Sequence, residues 1–142
     1  MTTSNLAHAP SNPNIALIQR LYADFGRGDI DSIVAATTPD VTFGLDGRPK
    51  DVPMLGHHKG HAGVRDFFRI LAETHDITSF TPEEYYADRD KAFVLGRYSW
   101  TMKPSGRSGQ SEWLHVWTIR NGKVAAVRSL NDTALLAEAW RG

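Results

Sequence analysis

The stretch Trp113-Leu114-His115-Val116-Trp117-Thr118-Ile119 puts a histidine in one alternating set with Trp113, Trp117 and Ile119. In an extended strand those four side chains share a face. An imidazole between two indoles reads as the polar point in the wall of an apolar cavity. Such surroundings resist a charged ring, so His115 is expected to act as a general base or a hydrogen-bond donor near neutral pH. The alternative is a core histidine satisfied by its neighbours. The other set, Leu114, Val116 and Thr118, is also mostly apolar, so both faces ask for burial: a pocket on one side and a partner subunit on the other.

Three further side chains carry possible chemistry. Asp46 follows the alternating Val41, Phe43 and Leu45. At a cavity mouth its pKa would be raised by burial, fitting it to abstract a carbon-bound proton; as part of Asp46-Gly47 it can equally cap a turn. Tyr22 either projects a hydroxyl into the cavity as an oxyanion donor or belongs to a helix stripe with its hydroxyl at the surface. Arg97, if it points inward, needs Glu84, Asp46 or a substrate carboxylate beside it; with the opposite strand parity it is simply solvated. His57, His58 and His61 lack a carboxylate at ligand spacing, and no His-Glu-x-x-His occurs. They are read as a solvated loop, not a metal site. Gly106-Arg107-Ser108-Gly109 opens no helix and is read as a hairpin turn, not a phosphate cradle.

The elements that must position these residues follow from periodicity. Asn12-Pro13 predicts a helix start, and Ile15, Ile18, Leu21, Tyr22 and Phe25 form its stripe, ending near Gly26 and Gly28. Asp29 caps a short second helix that Thr38-Pro39-Asp40 breaks. A strand over Val41, Phe43 and Leu45 leads into a loop over 47–60. Val64, Phe67, Phe68 and Leu71 mark a third helix from about His61 to His75. The period then switches to two, with strands near 77–87, 91–102, 111–120 and 123–131. Asp132 caps a last helix through Leu136 and Trp140. Helices followed by hairpin-linked strands make an α+β pattern, and a strongly curved antiparallel sheet wrapped on a long helix leaves a cone-shaped hollow.

Composition narrows the function classes. Lys and Arg number 16 against 16 for Asp and Glu, with no long run of either sign, which disfavours a nucleic-acid or membrane-surface role. Cysteine is absent from the 142 residues, so thiol catalysis, disulfides and thiolate metal sites are excluded. Residues 1–12 are expected to be a flexible tail and 13–142 a single domain, with a cytoplasmic setting and no membrane span.

Several segments together resemble a known family. Tyr22-Ala23-Asp24-Phe25-Gly26-Arg27-Gly28-Asp29-Ile30-Asp31 and Pro39-Asp40-Val41-Thr42-Phe43 are similar to the opening of SnoaL-like proteins in the NTF2-like, ketosteroid isomerase-related superfamily. Lys59-Gly60-His61-Ala62-Gly63-Val64-Arg65-Asp66-Phe67-Phe68 resembles that family's third helix, and Trp113 through Lys123, ending in Asn131-Asp132-Thr133, its terminal hairpin and helix cap. The resemblance implies an NTF2-like cone with a central cavity, and a homodimer through the outer sheet face. It also implies a strand parity: Phe93, Leu95, Arg97 and Ser99 inward on one strand, Trp113, His115, Trp117 and Ile119 on the next, Ser129 and Asn131 on the last.

Relative to ketosteroid isomerases, the catalytic tyrosine and two aspartates fall near Leu21, Leu45 and His115, with Tyr22 and Asp46 one residue away. A one-residue offset in a strand reverses the face, which argues against steroid-type isomerisation. Relative to the epoxide hydrolases of this fold, Arg97 matches the arginine, but Ser99 and Asn131 stand where carboxylates are expected. The resulting expectation is a cofactor-free isomerase, cyclase or lyase acting on a small, largely apolar carbonyl compound. His115 or Asp46 would move the proton, Tyr22, Ser129 or Asn131 hold the oxygen, and Arg97 hold any carboxylate. Trp113, Trp117, Phe43 and Ser99 complete the expected ligand-binding set. The alternative is capture of an apolar or carboxylate-bearing ligand in the same cavity without turnover.

Overall fold

Asn12 and Pro13 start the first helix as their residue types dictate. In the computed structural model, which describes residues 12–142, the Asn12 side chain accepts from the amides of Asn14 and Ile15 at the head of helix α1, Pro13–Gly26. The tail expected over residues 1–12 lies, Asn12 apart, outside the described residues. Ile15, Leu17, Ile18 and Leu21 form the buried stripe of α1. Asp29 accepts from the Ser32 amide and caps α2, Ile30–Ala35. After a turn at Ala36 come β1 (Thr37–Leu45), β2 (Gly56–Lys59), α3 (Gly60–Thr74), β3 (His75–Asp88), β4 (Lys91–Met102), β5 (Ser108–Arg120), β6 (Lys123–Asn131) and α4 (Thr133–Arg141). Asp132 accepts from the Leu135 amide at the start of α4.

The α+β architecture is the one expected. Six strands form one sheet in the order β2-β1-β6-β5-β4-β3. The sheet is antiparallel except for β1 and β6, which run parallel. Register shifts at Ile77/Ser79, Pro82/Glu84 and Thr118/Ile119 interrupt the long ladders, and such bulges bend strands and strengthen their twist. The bent sheet closes over α1 and α3, where Ile18, Val41, Val64, Val94 and Leu136 have essentially no exposed surface. Each such aliphatic side chain contributes about 1.5–3 kcal/mol through burial.

Two elements differ from the sequence expectation. Thr38-Pro39-Asp40 lies inside β1 and does not end it. The β1–β6 ladder shifts register between Thr37 and Thr42, so Pro39 sits where no ladder amide is required. The expected loop over 47–60 holds the short strand β2, which pairs Thr42 with Lys59, Phe43 with His58 and Gly44 with His57. Its residues show no apolar alternation, because the pairing is made by backbone groups along the edge of β1.

Strand β4 has the opposite parity to that expected. Val94, Gly96, Tyr98, Trp100 and Met102 face inward, and Phe93, Leu95, Arg97 and Ser99 face outward. Opposed residues of an antiparallel pair share a face, and Gly96 lies opposite Trp113 while Val94 lies opposite His115. A Cβ at Gly96 would stand 2.3 Å from Cζ2 of Trp113 and 2.6 Å from the Thr81 carbonyl oxygen. Glycine at 96 is therefore what admits the Trp113 indole against β4. Gly109 does the same for Trp100, whose ring would lie 2.7 Å from a Cβ there.

Candidate functional site

The inward face of β5 and the stripe of α1 meet in a column of aromatic rings. Phe80 stacks on Trp113 with centroids 4.8 Å apart and planes 12° from parallel, and Trp113 stacks on His115 at 3.9 Å and 19°. Tyr22 packs against this column, its ring 5.9 Å from Trp113, 5.8 Å from His115 and 5.7 Å from Trp117. Tyr22 takes this place because it continues the stripe of Ile18 and Leu21 one turn before the helix ends.

Hydrogen accounting fixes the polarity at the centre. Trp117 Nε1–H, which can only donate, lies 3.3 Å from Tyr22 Oη, and Tyr22 Oη lies 2.8 Å from His115 Nδ1. Among the described residues the phenol hydrogen has no other acceptor, so Tyr22 donates to Nδ1 and the His115 proton sits on Nε2. That Nε2–H has no partner among the described residues and is left to the cavity. Burial pushes the His115 pKa down from 6.5 to about 3, and it raises the Tyr22 phenol well above its ordinary range. The pair is therefore neutral at physiological pH, with the imidazole presented as a donor.

The hollow beside this column measures about 100 Å³. Its walls include Tyr22, Phe43, Tyr98, Trp113, His115, Trp117, Ser129 and Asn131. Ser129 lies opposite His115 in the β5–β6 ladder, which puts their Cβ atoms roughly 5 Å apart on one face. Asn131 Nδ2 donates to Ser129 Oγ at 2.9 Å, leaving the serine hydroxyl hydrogen free to donate into the cavity. Tyr98 Oη and Trp113 Nε1 are buried without a hydrogen-bond partner among the described residues. His115 and Ser129 thus bring two donors to one wall from opposed positions of neighbouring strands, and no carboxylate stands among the described residues that line the space.

Asp46 and Arg97 stand elsewhere. Asp46 faces the outer surface, where Arg128 Nη2 donates to it at 2.5 Å and His57 Nε2 lies 2.6 Å from its other oxygen. The Arg128 guanidinium, with a smaller contribution from His57, holds the Asp46 carboxyl below its usual range, the reverse of the burial-raised base expected. Its position follows from parity, since Leu45 points inward and the next residue points out. Arg97 projects from the outer face of β4 and pairs with Glu83 at 3.2 Å and Glu112 at 3.7 Å, not with Glu84 or Asp46. Ser99 is on that outer face as well. His57, His58 and His61 point apart. His57 meets Asp46, His58 packs on Phe67 with centroids 6.0 Å apart, and His61 Nε2 lies 3.1 Å from the Thr37 carbonyl oxygen.

Sequence reasoning missed Tyr98, Phe80, Phe25 and Phe68 as cavity walls. The available signal was the glycine at 96, which has to face the bulkiest side chain of the neighbouring strand and so fixes the facing of Tyr98.

Comparison with known proteins places this geometry in a family. The SnoaL-like domain profile matches residues 18–127. An NTF2-like protein of unknown function from Burkholderia pseudomallei superposes with a TM-score of 0.83 at 26% identity, over 92% of this chain and 99% of that one. TerC, co-crystallised with polyporic acid, superposes with a TM-score of 0.82 at 26% identity, over 92% and 100%. Glyoxysomal malate dehydrogenase 2 of Brassica napus is 36% identical over 89 residues, which cover 56% of this chain and 24% of that enzyme. The chain spans about a quarter of that relative, and no Gly-x-Gly-x-x-Gly turn occurs in its sequence. Among the described residues, no helix is long and apolar enough to cross a membrane.

Proposed function

The chain belongs to the SnoaL-like domain family, and on that premise we propose that its cavity binds a small, flat, largely apolar compound through a carbonyl or equivalent acceptor oxygen. The observation that carries this reading is the unpartnered His115 Nε2–H, fixed as a donor by the Tyr22 phenol and flanked by the Ser129 hydroxyl. Size and polarity agree with it. An apolar cavity of about 150 Å³ accepts benzene, so a space of about 100 Å³ suits a single ring or smaller. The co-crystallisation of TerC with polyporic acid supports a small organic ligand for this fold.

Two donors on one oxygen would also stabilise an enolate, and this favours an isomerase- or cyclase-like reading as the second one. That reading needs a base. His115 holds its pKa at about 3 and has its Nδ1 lone pair occupied by Tyr22, while Asp46 is ion-paired outside the cavity. A base works best with a pKa near the working pH, so capture of the ligand without turnover is the better-supported function.

The test compares 2-cyclohexen-1-one with cyclohexene, a hydrocarbon of nearly the same shape, in the wild type and in His115→Phe. Deleting the donor is expected to weaken the ketone about tenfold, in line with the roughly 1–1.5 kcal/mol of a neutral hydrogen bond, and to leave cyclohexene within twofold. Equal effects on both ligands, by calorimetry or tryptophan quenching, would remove His115 as the recognition point. Hydrogen–deuterium exchange at the ketone α-carbon is expected to run no faster with protein than without it. Clear acceleration would favour the catalytic reading.

The outer face of the sheet exposes Leu95 and Leu130 beside half-buried Leu114 and Val116. Contiguous exposed apolar surface of this kind marks an interaction site, and it supports pairing of two copies through that face.

A further inference from the structure

The single-ring cavity has a much larger neighbour. An open groove of about 610 Å³ lies between the end of α1, the start of α2, and α3. Phe25, Phe68, Leu71 and Ile77 line both spaces, so these four side chains stand between the cavity and the groove. We propose that Phe25 and Phe68 form a movable partition, and that the compound this protein takes is a two-ring one that displaces it. The first ring would lie beneath His115 and the second in the space the displaced phenylalanine ring vacates. This rests on the carbonyl reading above and extends it to ligand size and route of access.

The geometry favours Phe25 as the moving part. Its ring stands 5.9 Å from Phe68 at 39° and 5.3 Å from Phe80, which is itself 6.2 Å from His115. Phe25 is thus two ring contacts from the His115 ring. It occupies the last turn of α1, just before Gly26, and the chain leaves the helix through Gly28 at φ +70. The carbonyls of that turn accept from the amides of Arg27, Gly28 and Asp29, so the backbone stays in place and the motion is a rotation of the Phe25 side chain. Phe67, one position before Phe68, is buried against Phe43, whereas Phe25 and Phe68 keep partial exposure. The groove offers the displaced ring a destination, so opening requires no expansion of the core. A ring swung outward adds roughly one benzene's volume to the cavity, which turns a single-ring site into a two-ring one.

Stopped-flow quenching of tryptophan fluorescence tests this with 2-cyclohexen-1-one and 1-tetralone. In the wild type the association rate of 1-tetralone should level off as its concentration rises, because opening of the partition becomes limiting. In Phe25→Leu, and separately in Phe68→Leu, the plateau should disappear, and the ratio of 1-tetralone to 2-cyclohexen-1-one association rates should rise at least tenfold. Leucine keeps the site apolar, and thermal melts report whether each variant folds. A rate ratio unmoved in both variants, or no binding of 1-tetralone to any form, overturns the partition. Failure of 2-cyclohexen-1-one to bind the wild type overturns the carbonyl reading instead, so the two ideas fail on different observations.

Discussion

Acidification from pH 7 to 4.5 is expected to cost the fold several kcal/mol, well before carboxylate protonation dominates. Two histidines are responsible, His75 in the core and His115 in the cavity wall, partly exposed to the hollow. Burial lowers His115 from 6.5 to about 3 and His75 from 6.5 to about 4. His75 is 4% exposed and lies against Trp100 with centroids 6.2 Å apart. Its Nδ1 is 2.9 Å from Thr74 Oγ1, which donates to the Ile70 carbonyl, so Nδ1 carries the proton and Nε2 is a buried acceptor without a partner among the described residues. Both rings are held neutral in the folded chain and titrate normally once it unfolds. Stability from this source is complete above about pH 6.5, and it is lost as the pH falls toward the depressed folded values, because the unfolded chain binds protons that the folded chain refuses. At pH 4.5 each histidine accounts for roughly 2–3 kcal/mol, at about 1.4 kcal/mol per pH unit. Set against a typical domain stability of about 5–15 kcal/mol, that loss is large. Urea unfolding at half-unit steps from pH 7.5 to 4.5 measures it. The slope below pH 6 should fall by about half in His115→Phe, which cannot protonate. A wild-type stability that stays flat between pH 7 and 5 would mean that neither ring is held neutral.

The same burial argument explains what could be read from sequence. The facing of His115 was legible because both flanking positions on that face are tryptophans, bulkier than Leu114 and Val116 on the other. The β5–β6 hairpin was legible because Asn121 and Gly122 supply the two positive φ values, 54 and 76, that a tight turn demands. Helices α1 and α3 followed from their stripes and, in α1, from the Asn12 cap. Parity on β4 was not legible from hydrophobicity, since Phe93 and Leu95 are as apolar as Val94 and Tyr98. Only cross-strand size matching, glycine against indole, separates the two choices. Asp46 was misplaced for another reason. Its carboxylate is defined by Arg128, which is 82 residues away in sequence and reaches it only because β1 and β6 lie side by side. A charge partner created by strand order leaves no local signature.

Gly44→Ala should be the most damaging single methyl group in the cavity wall, at about 3 kcal/mol or more. A Cβ at Gly44 would fall 2.1 Å from the Gly56 carbonyl oxygen and 2.8 Å from the His57 Cα. Both obstacles are backbone of β2, the edge strand, which cannot rotate aside as a side-chain tip can. Ordinary overpacking costs about 1–3 kcal/mol when neighbours yield by rotamer changes; here the strand itself must shift or peel away. Displacing β2 would break its pairing of Gly44 with His57 and pull His57 from Asp46. It would also disturb Leu55, which bridges to Leu45 at the cavity's edge. Gly26→Ala is the matched control, since a Cβ there meets nothing within 4 Å. It should leave stability unchanged or raise it by up to about 1 kcal/mol, as alanine is the better helix residue. Urea midpoints for the two variants decide the matter. If Gly44→Ala unfolds within about 1 kcal/mol of the wild type, the close approach of β1 and β2 is looser than described, and the wall beneath Phe43 has room to open on that side as well.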